Sequence, residues 1–142
     1  MPRLAFDAQI TFVPTTDLTT CAHFYETIMV LPMILDQETC RIYQVTEQSY
    51  LGFCQSDDPL PWDDRVILTL VSDDVDGWYA RLNTQGVTTD GPPRENRQYR
   101  IYHFFARDAN GYRLEFQRFL DTFPPESAPF PPDEETPPGS TA

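Results

Sequence analysis

His103 and Glu115 are the residues of this chain whose types and spacing best suit acid–base chemistry. Between them lies Asp108-Ala109-Asn110-Gly111, a turn sequence in which Asn-Gly supplies positive φ angles, so the flanking segments fold back as a hairpin. Folding there sets His103 opposite the stretch from Glu115 to Gln117. Side chains alternate along a strand, so His103, Phe105 and Arg107 share one face, and Arg113, Glu115 and Gln117 share one. A histidine held in one tautomer by a glutamate can act as a general base near neutral pH. The pair can equally be structural, because a buried carboxylate needs a hydrogen-bonding partner. Both readings stay open. Other candidates are weaker. His23, beside Ala22 and Phe24 on a helical stretch, reads as a surface residue. Tyr43, Tyr50, Tyr99 and Tyr102 can line a pocket or fill a core. Arg94, Arg97 and Arg100 can close over an anionic ligand or stand as solvated loop charges. No phosphate-binding glycine loop or G-x-S-x-G nucleophile motif is present.

The elements that must position these residues follow from periodicity. Residues 9–13 alternate as a strand. Asp17, or Thr16 before it, caps a helix in which Leu18, Cys21, Phe24, Tyr25 and Ile28 form one apolar face to about residue 30. Strands are expected over 33–35, 40–45 and 49–54, and a Pro- and Asp-rich loop over 56–64. The order then begins again: a strand over 65–71, a helix capped by the acidic run around Asp74 and ended at Gly86, a loop through Gly91-Pro92-Pro93, and strands over 99–107 and 112–119. The chain thus reads as two βαβββ modules, with Asp17 and Asp74 as equivalent helix starts. Module one spans 7–56 and module two 64–120, together a domain over 1–120. The tail over 121–142 alternates prolines with acidic residues and is expected to be disordered, although Phe123 and Phe130 can dock on the body.

Three stretches carry a family resemblance. Asp17-Leu18 with Phe24-Tyr25 resembles D-L-x-x-S-x-x-F-Y, with Cys21 at the Ser position. Asp73-Asp74-Val75-Asp76 with Tyr79, Leu82 and Gly86-Val87 resembles a second helix of the same family. Asp108 to Glu115 resembles D-P-[DN]-G-x-x-[IL]-E, with Ala109 in place of Pro. Their order and spacing are similar to the glyoxalase/bleomycin-resistance/dioxygenase superfamily, the vicinal-oxygen-chelate fold, over roughly residues 7 to 120. The resemblance implies an α+β fold in which two βαβββ modules form a curved mixed sheet around a pocket. It implies that Glu115 faces the pocket, and His103, Phe105 and Gln117 with it. It also locates the family's metal ligands. The first-strand positions fall on Ile10 or Gln9 and on Ile67 or Val66. The last-strand positions fall on Gly52 and Glu115. One strong ligand, Glu115, is left, with Gln9 a weak second. Divalent transition-metal sites need three or more His, carboxylate or thiolate ligands, so neither a metal nor another cofactor is expected. His103 and Glu115 are then the catalytic candidates, and Gln9, Phe105, Gln117 and Arg100 the candidates for binding substrate.

Composition bounds the partners. The formal charge is −12, from 10 basic and 22 acidic residues, which disfavours nucleic acid and anionic lipid as partners. No apolar run approaches the roughly 20 residues needed to cross a membrane. Three scattered cysteines, Cys21, Cys40 and Cys54, argue against a disulfide framework and read as buried thiols of a cytoplasmic protein. Three functions follow as expectations. The first is metal-independent binding or resistance, for which an acidic groove would suit a cationic drug. The second is a lyase or isomerase using His103 and Glu115. The third is a dimeric structural or interaction protein. A homodimer with an unidentified small-molecule ligand is expected by resemblance.

Overall fold

Aspartates start both helices. Asp17 accepts hydrogen bonds from the amide and hydroxyl of Thr20 (3.1 and 2.7 Å), and Asp74 accepts from the amide of Gly77 (2.9 Å). Each satisfies donors that the first helical turn leaves open. The computed structural model describes residues 4–58 and 64–126. In chain order it holds β1 (Gln9–Thr15), α1 (Leu18–His23), β2 (Met33–Asp36), β3 (Cys40–Thr46), β4 (Ser49–Gln55), β5 (Leu68–Val71), α2 (Val75–Thr84), β6 (Arg94–Asn96), β7 (Ile101–Arg107) and β8 (Arg113–Phe119). Two four-stranded mixed sheets result, ordered β1-β4-β3-β2 and β5-β8-β7-β6. The first strand of each module pairs in parallel with its last.

The aromatic residues set the core. Tyr25 stacks on Phe53 at 4.3 Å between α1 and the first sheet, and Phe104 stacks on Phe116 at 5.0 Å beneath α2. Rings of this size bury more apolar area per residue than other side chains and so weigh heavily in the core. The alternation that sends Tyr43, Leu51 and Phe53 to the helix side sends Ile42 and Gly52 to the concave side. In module two, Phe104, Leu114 and Phe116 face the helix, and His103, Phe105, Glu115 and Gln117 take the concave side.

Each module clasps the other. The β7–β8 turn docks on module one, where Tyr25 Oη donates to Asp108 Oδ2 (2.6 Å) and Tyr112 Oη donates to the Pro14 carbonyl (2.9 Å). In return Arg81 on α2 donates to the carbonyls of Ile28 and Thr27 (2.7 and 3.0 Å), placing positive charge at a helix C-terminus.

Several expectations are corrected. The first helix passes into a π-helical turn, Phe24–Ile28, with Met29 N bonding to Phe24 O. The strand expected from residue 65 starts at Leu68, because the chain turns at 64–66, where Asp64 grips Arg107. The strand expected from residue 99 starts at Ile101, because Arg100 adopts a left-handed φ of 54°. The fourth strand of module two is β6, which lies in a stretch expected to be loop. Cys40 and Cys54 are bonded across β3 and β4 and are not free thiols. Cys21 stays free and buried, and burial pushes its thiol up to about 12, which disfavours the thiolate. Most of the expected tail, including Phe130, lies outside the described residues. Phe123 lies within them and stacks on Phe119 at 4.1 Å.

Candidate functional site

The concave side of the second sheet is chemically mixed because β5, β7 and β8 alternate there between apolar and polar residues. It forms an open cavity of about 800 Å³ whose lining includes Ile67, His103, Phe105, Glu115, Gln117 and Phe119, all from module two. Register explains the convergence. His103 stands opposite Gln117, Phe105 opposite Glu115, and Thr69 beside Glu115. His103 therefore reaches Glu115 on the diagonal between neighbouring strands.

The contact is direct. His103 Nδ1 lies 2.7 Å from Glu115 Oε2, and Thr69 Oγ1 donates to Glu115 Oε1 at 2.8 Å. Both residues are more than nine-tenths buried. An ionised carboxylate only accepts, so toward ionised Glu115 Nδ1 is the donor, and in the neutral ring Nε2 is then the nitrogen without a proton. The His103 ring meets Phe105 edge to face at 5.2 Å, which fixes its plane. The Gln117 amide has no protein partner among the described residues and lines the same cavity, so it is free to bond a ligand.

The four candidates for binding substrate separate. Phe105 and Gln117 line the cavity with the His–Glu pair. Gln9 lies in a neighbouring cleft of about 220 Å³ between β1 and β5, which shares Ile67 with the cavity. Arg100 points away and pairs with Asp121 (2.7 Å), both largely exposed. Of the expected arginine cluster, Arg94 and Arg97 line the cavity. Thr69 was missed by sequence reading, although it lies two residues beyond Ile67 and so on the same strand face.

Module one presents the matching position in another form. Phe12 pairs with Gly52 as Thr69 pairs with Glu115, and a Cβ on Gly52 would overlap the Phe12 ring. The family's metal positions carry Ile10 or Gln9, and Gly52, in module one, so no strong ligand stands there. In module two they carry Ile67 and a carboxylate already bonded at both oxygens. Among the described residues no three His, Cys, Asp or Glu side chains converge. This donor set does not fit a divalent transition metal.

Comparison with known proteins agrees with this architecture. The family model described as Glyoxalase/Bleomycin resistance protein/Dioxygenase superfamily matches residues 8–116. A search of curated proteins gave no match. Among solved structures, an integron cassette protein from the mobile metagenome of Halifax Harbour sewage outfall is similar at a TM-score of 0.69 and 16% identity, over 79% of this chain and 97% of that one. The fosfomycin resistance protein FosX of Listeria monocytogenes is similar at 0.66 and 16%, over 84% and 97%. A lactoylglutathione lyase of Agrobacterium tumefaciens is similar at 0.63 and 19%, over 83% and 96%. Identities this low establish the shared fold and leave the chemistry to the site itself.

Proposed function

From the premise that this chain belongs to the glyoxalase/bleomycin resistance protein/dioxygenase superfamily, we propose that it binds a small oxygen-bearing organic molecule on the concave face of module two. There His103 acts as a general base oriented by Glu115, in a lyase- or isomerase-type reaction. The observation that carries this reading is the chain of contacts from Thr69 through Glu115 to His103 Nδ1. It fixes the imidazole by two successive hydrogen bonds and leaves Nε2 as the basic nitrogen at a cavity wall. Such ordering is what a base needs before substrate arrives, since the reacting geometry is set in advance.

A second reading is binding or resistance without turnover, the role first expected. One feature favours it: every oxygen of Glu115 is satisfied by the protein, as a carboxylate without a metal requires. Glu115→Gln distinguishes the two. If Glu115 orients a base, turnover of a library substrate drops on the order of a hundredfold while ligand affinity holds. If the pair is only structural, Glu115→Gln leaves both unchanged, and ligands raise the melting temperature without being consumed. His103→Phe fills the space without the base and should abolish turnover on the first reading alone.

The proposal includes a second copy of the chain as partner and a cytoplasmic setting. No helix among the described residues is long and apolar enough to cross a membrane. Counting free thiols on protein trapped at lysis tests the setting: three supports a reducing compartment, and one supports the Cys40–Cys54 bond in the cell.

A further inference from the structure

Every basic side chain in this sequence that is not histidine is an arginine, ten in all. Most are already occupied. Arg41 pairs with Asp36, Arg94 with Asp90, Arg100 with Asp121 and Arg107 with Asp64. Arg81 caps the π-helical turn, and Arg118 lies over Tyr102 on the convex side. Arg113 differs. Its guanidinium lies 3.9 Å from the centre of the Phe105 ring and has no carboxylate partner among the described residues.

Its place makes that vacancy informative. Arg113 precedes Glu115 by two residues on β8 and stands on the same concave face. It lines a cleft of about 360 Å³ beside the main cavity, and Phe105 borders both. Arg107 is its direct cross-strand neighbour, so two guanidinium groups share one face, an arrangement that is unfavourable unless an anion lies between or near them. The cleft's two carboxylates answer Arg107 and Arg94 and leave Arg113 without one. Asp64 is bonded through both oxygens to Arg107. Asp90 accepts from Arg94 with one oxygen and from the Phe105 amide with the other. Among the described residues the cleft and its rim thus hold three guanidinium groups against two engaged carboxylates, and Arg113 is the one left unmatched.

We propose that Arg113 binds the carboxylate of a small organic acid, so that the rest of the acid crosses the Phe105 ring toward His103. This rests on the reading of the module-two cavity as a ligand site and names the substrate class for it. A guanidinium presents paired N–H donors that match a carboxylate's two oxygens, and the phenyl ring beneath holds the fork flat without competing for it. The overall charge of −12 would otherwise repel an anionic ligand, so a local cation is required for one to settle here.

The test uses matched pairs differing only in charge: propionate with propionamide, and phenylacetate with phenylacetamide. Binding to the full chain is read by ligand-observed NMR at millimolar concentration. The wild type should prefer each acid over its amide by about tenfold or more. Arg113→Met keeps an apolar stem over Phe105 and should erase the preference without weakening the amide. Arg118→Met, on the opposite side of the sheet, should leave it intact. Arg113→Gln gives the same answer should the methionine variant fold poorly. Equal binding of acids and amides, no acid binding at all, or a preference that survives Arg113→Met and disappears in Arg97→Met would each overturn the proposal. None of these outcomes depends on turnover, so the base role of His103 is judged separately by Glu115→Gln.

Discussion

Gly52 and Glu115 occupy equivalent points on the last strands of the two modules and meet different neighbours. Glu115 has Thr69 beside it and His103 on the diagonal. Gly52 has the Phe12 ring over it, which leaves no room for a side chain. Phe12 is half exposed, so its ring can swing aside at the cost of a poorer rotamer, about 0.5–1.5 kcal/mol. Gly52→Ala should therefore destabilise the fold by roughly that amount, and Phe12→Ala should relieve it. A double-mutant cycle by urea unfolding measures the coupling. Additive effects would mean that the Phe12 ring does not fill this space. At this scale the sequence was informative wherever alternation and a hairpin turn were enough. His103, Phe105, Glu115 and Gln117 came to one face because a two-residue period leaves little choice once the turn is located. Arg100 did not, because its left-handed backbone takes it off the strand, and no residue type in Arg97-Gln98-Tyr99-Arg100 signals that.

Among the elements, the β7–β8 turn has a second task beyond reversing the chain. Asp108 accepts from the Asn110 and Tyr112 amides at 2.8 Å each and from Tyr25 Oη, so the turn's carboxylate also fastens module two to module one. Burial raises the Asp108 carboxyl above its ordinary range even against the hydrogen bonds that lower it. A carboxyl raised in the folded state favours folding when protonated, and that contribution is lost as pH rises through its folded-state value. Wild type should thus gain stability relative to Asp108→Asn as pH falls from about 7 to about 4. Thermal melts of both proteins across that range measure the difference; a gap that narrows on acidification refutes the assignment. The turn was legible from Asn-Gly, although only Gly111 takes the positive φ expected of the pair. Its docking was not, because a contact between residues 25 and 108 leaves no local pattern. β6 was missed for a related reason: Arg94-Glu95-Asn96 has no apolar residue, and only pairing with Ile101–His103 makes it a strand.

For the whole molecule, both concave faces are unfinished. Among the described residues the module-two cavity is walled by its own module alone, and no strand pairs with the outer edge of either module's first strand. Apolar side chains cluster along those edges: Ile10 is 42% exposed, Phe12 50%, Val66 59% and Ile67 39%. Monomeric proteins seldom leave apolar residues gathered beside unpaired strand edges. A second copy offers the matching apolar edges, and the chain should be a homodimer in solution. Sedimentation at tens of micromolar should give twice the chain mass of 16.4 kDa. Phe12→Glu should shift the species toward monomer without lowering the helix or strand content. Salt supplies an independent check with a definite sign. Two copies each carrying −12 repel one another, while burial of apolar surface is not screened. Association should therefore tighten as salt rises from low to physiological strength. Weakening over the same range would mean that charge pairing, and not the apolar edges, holds the copies together, and a monomer throughout would leave those edges without a second copy to cover them.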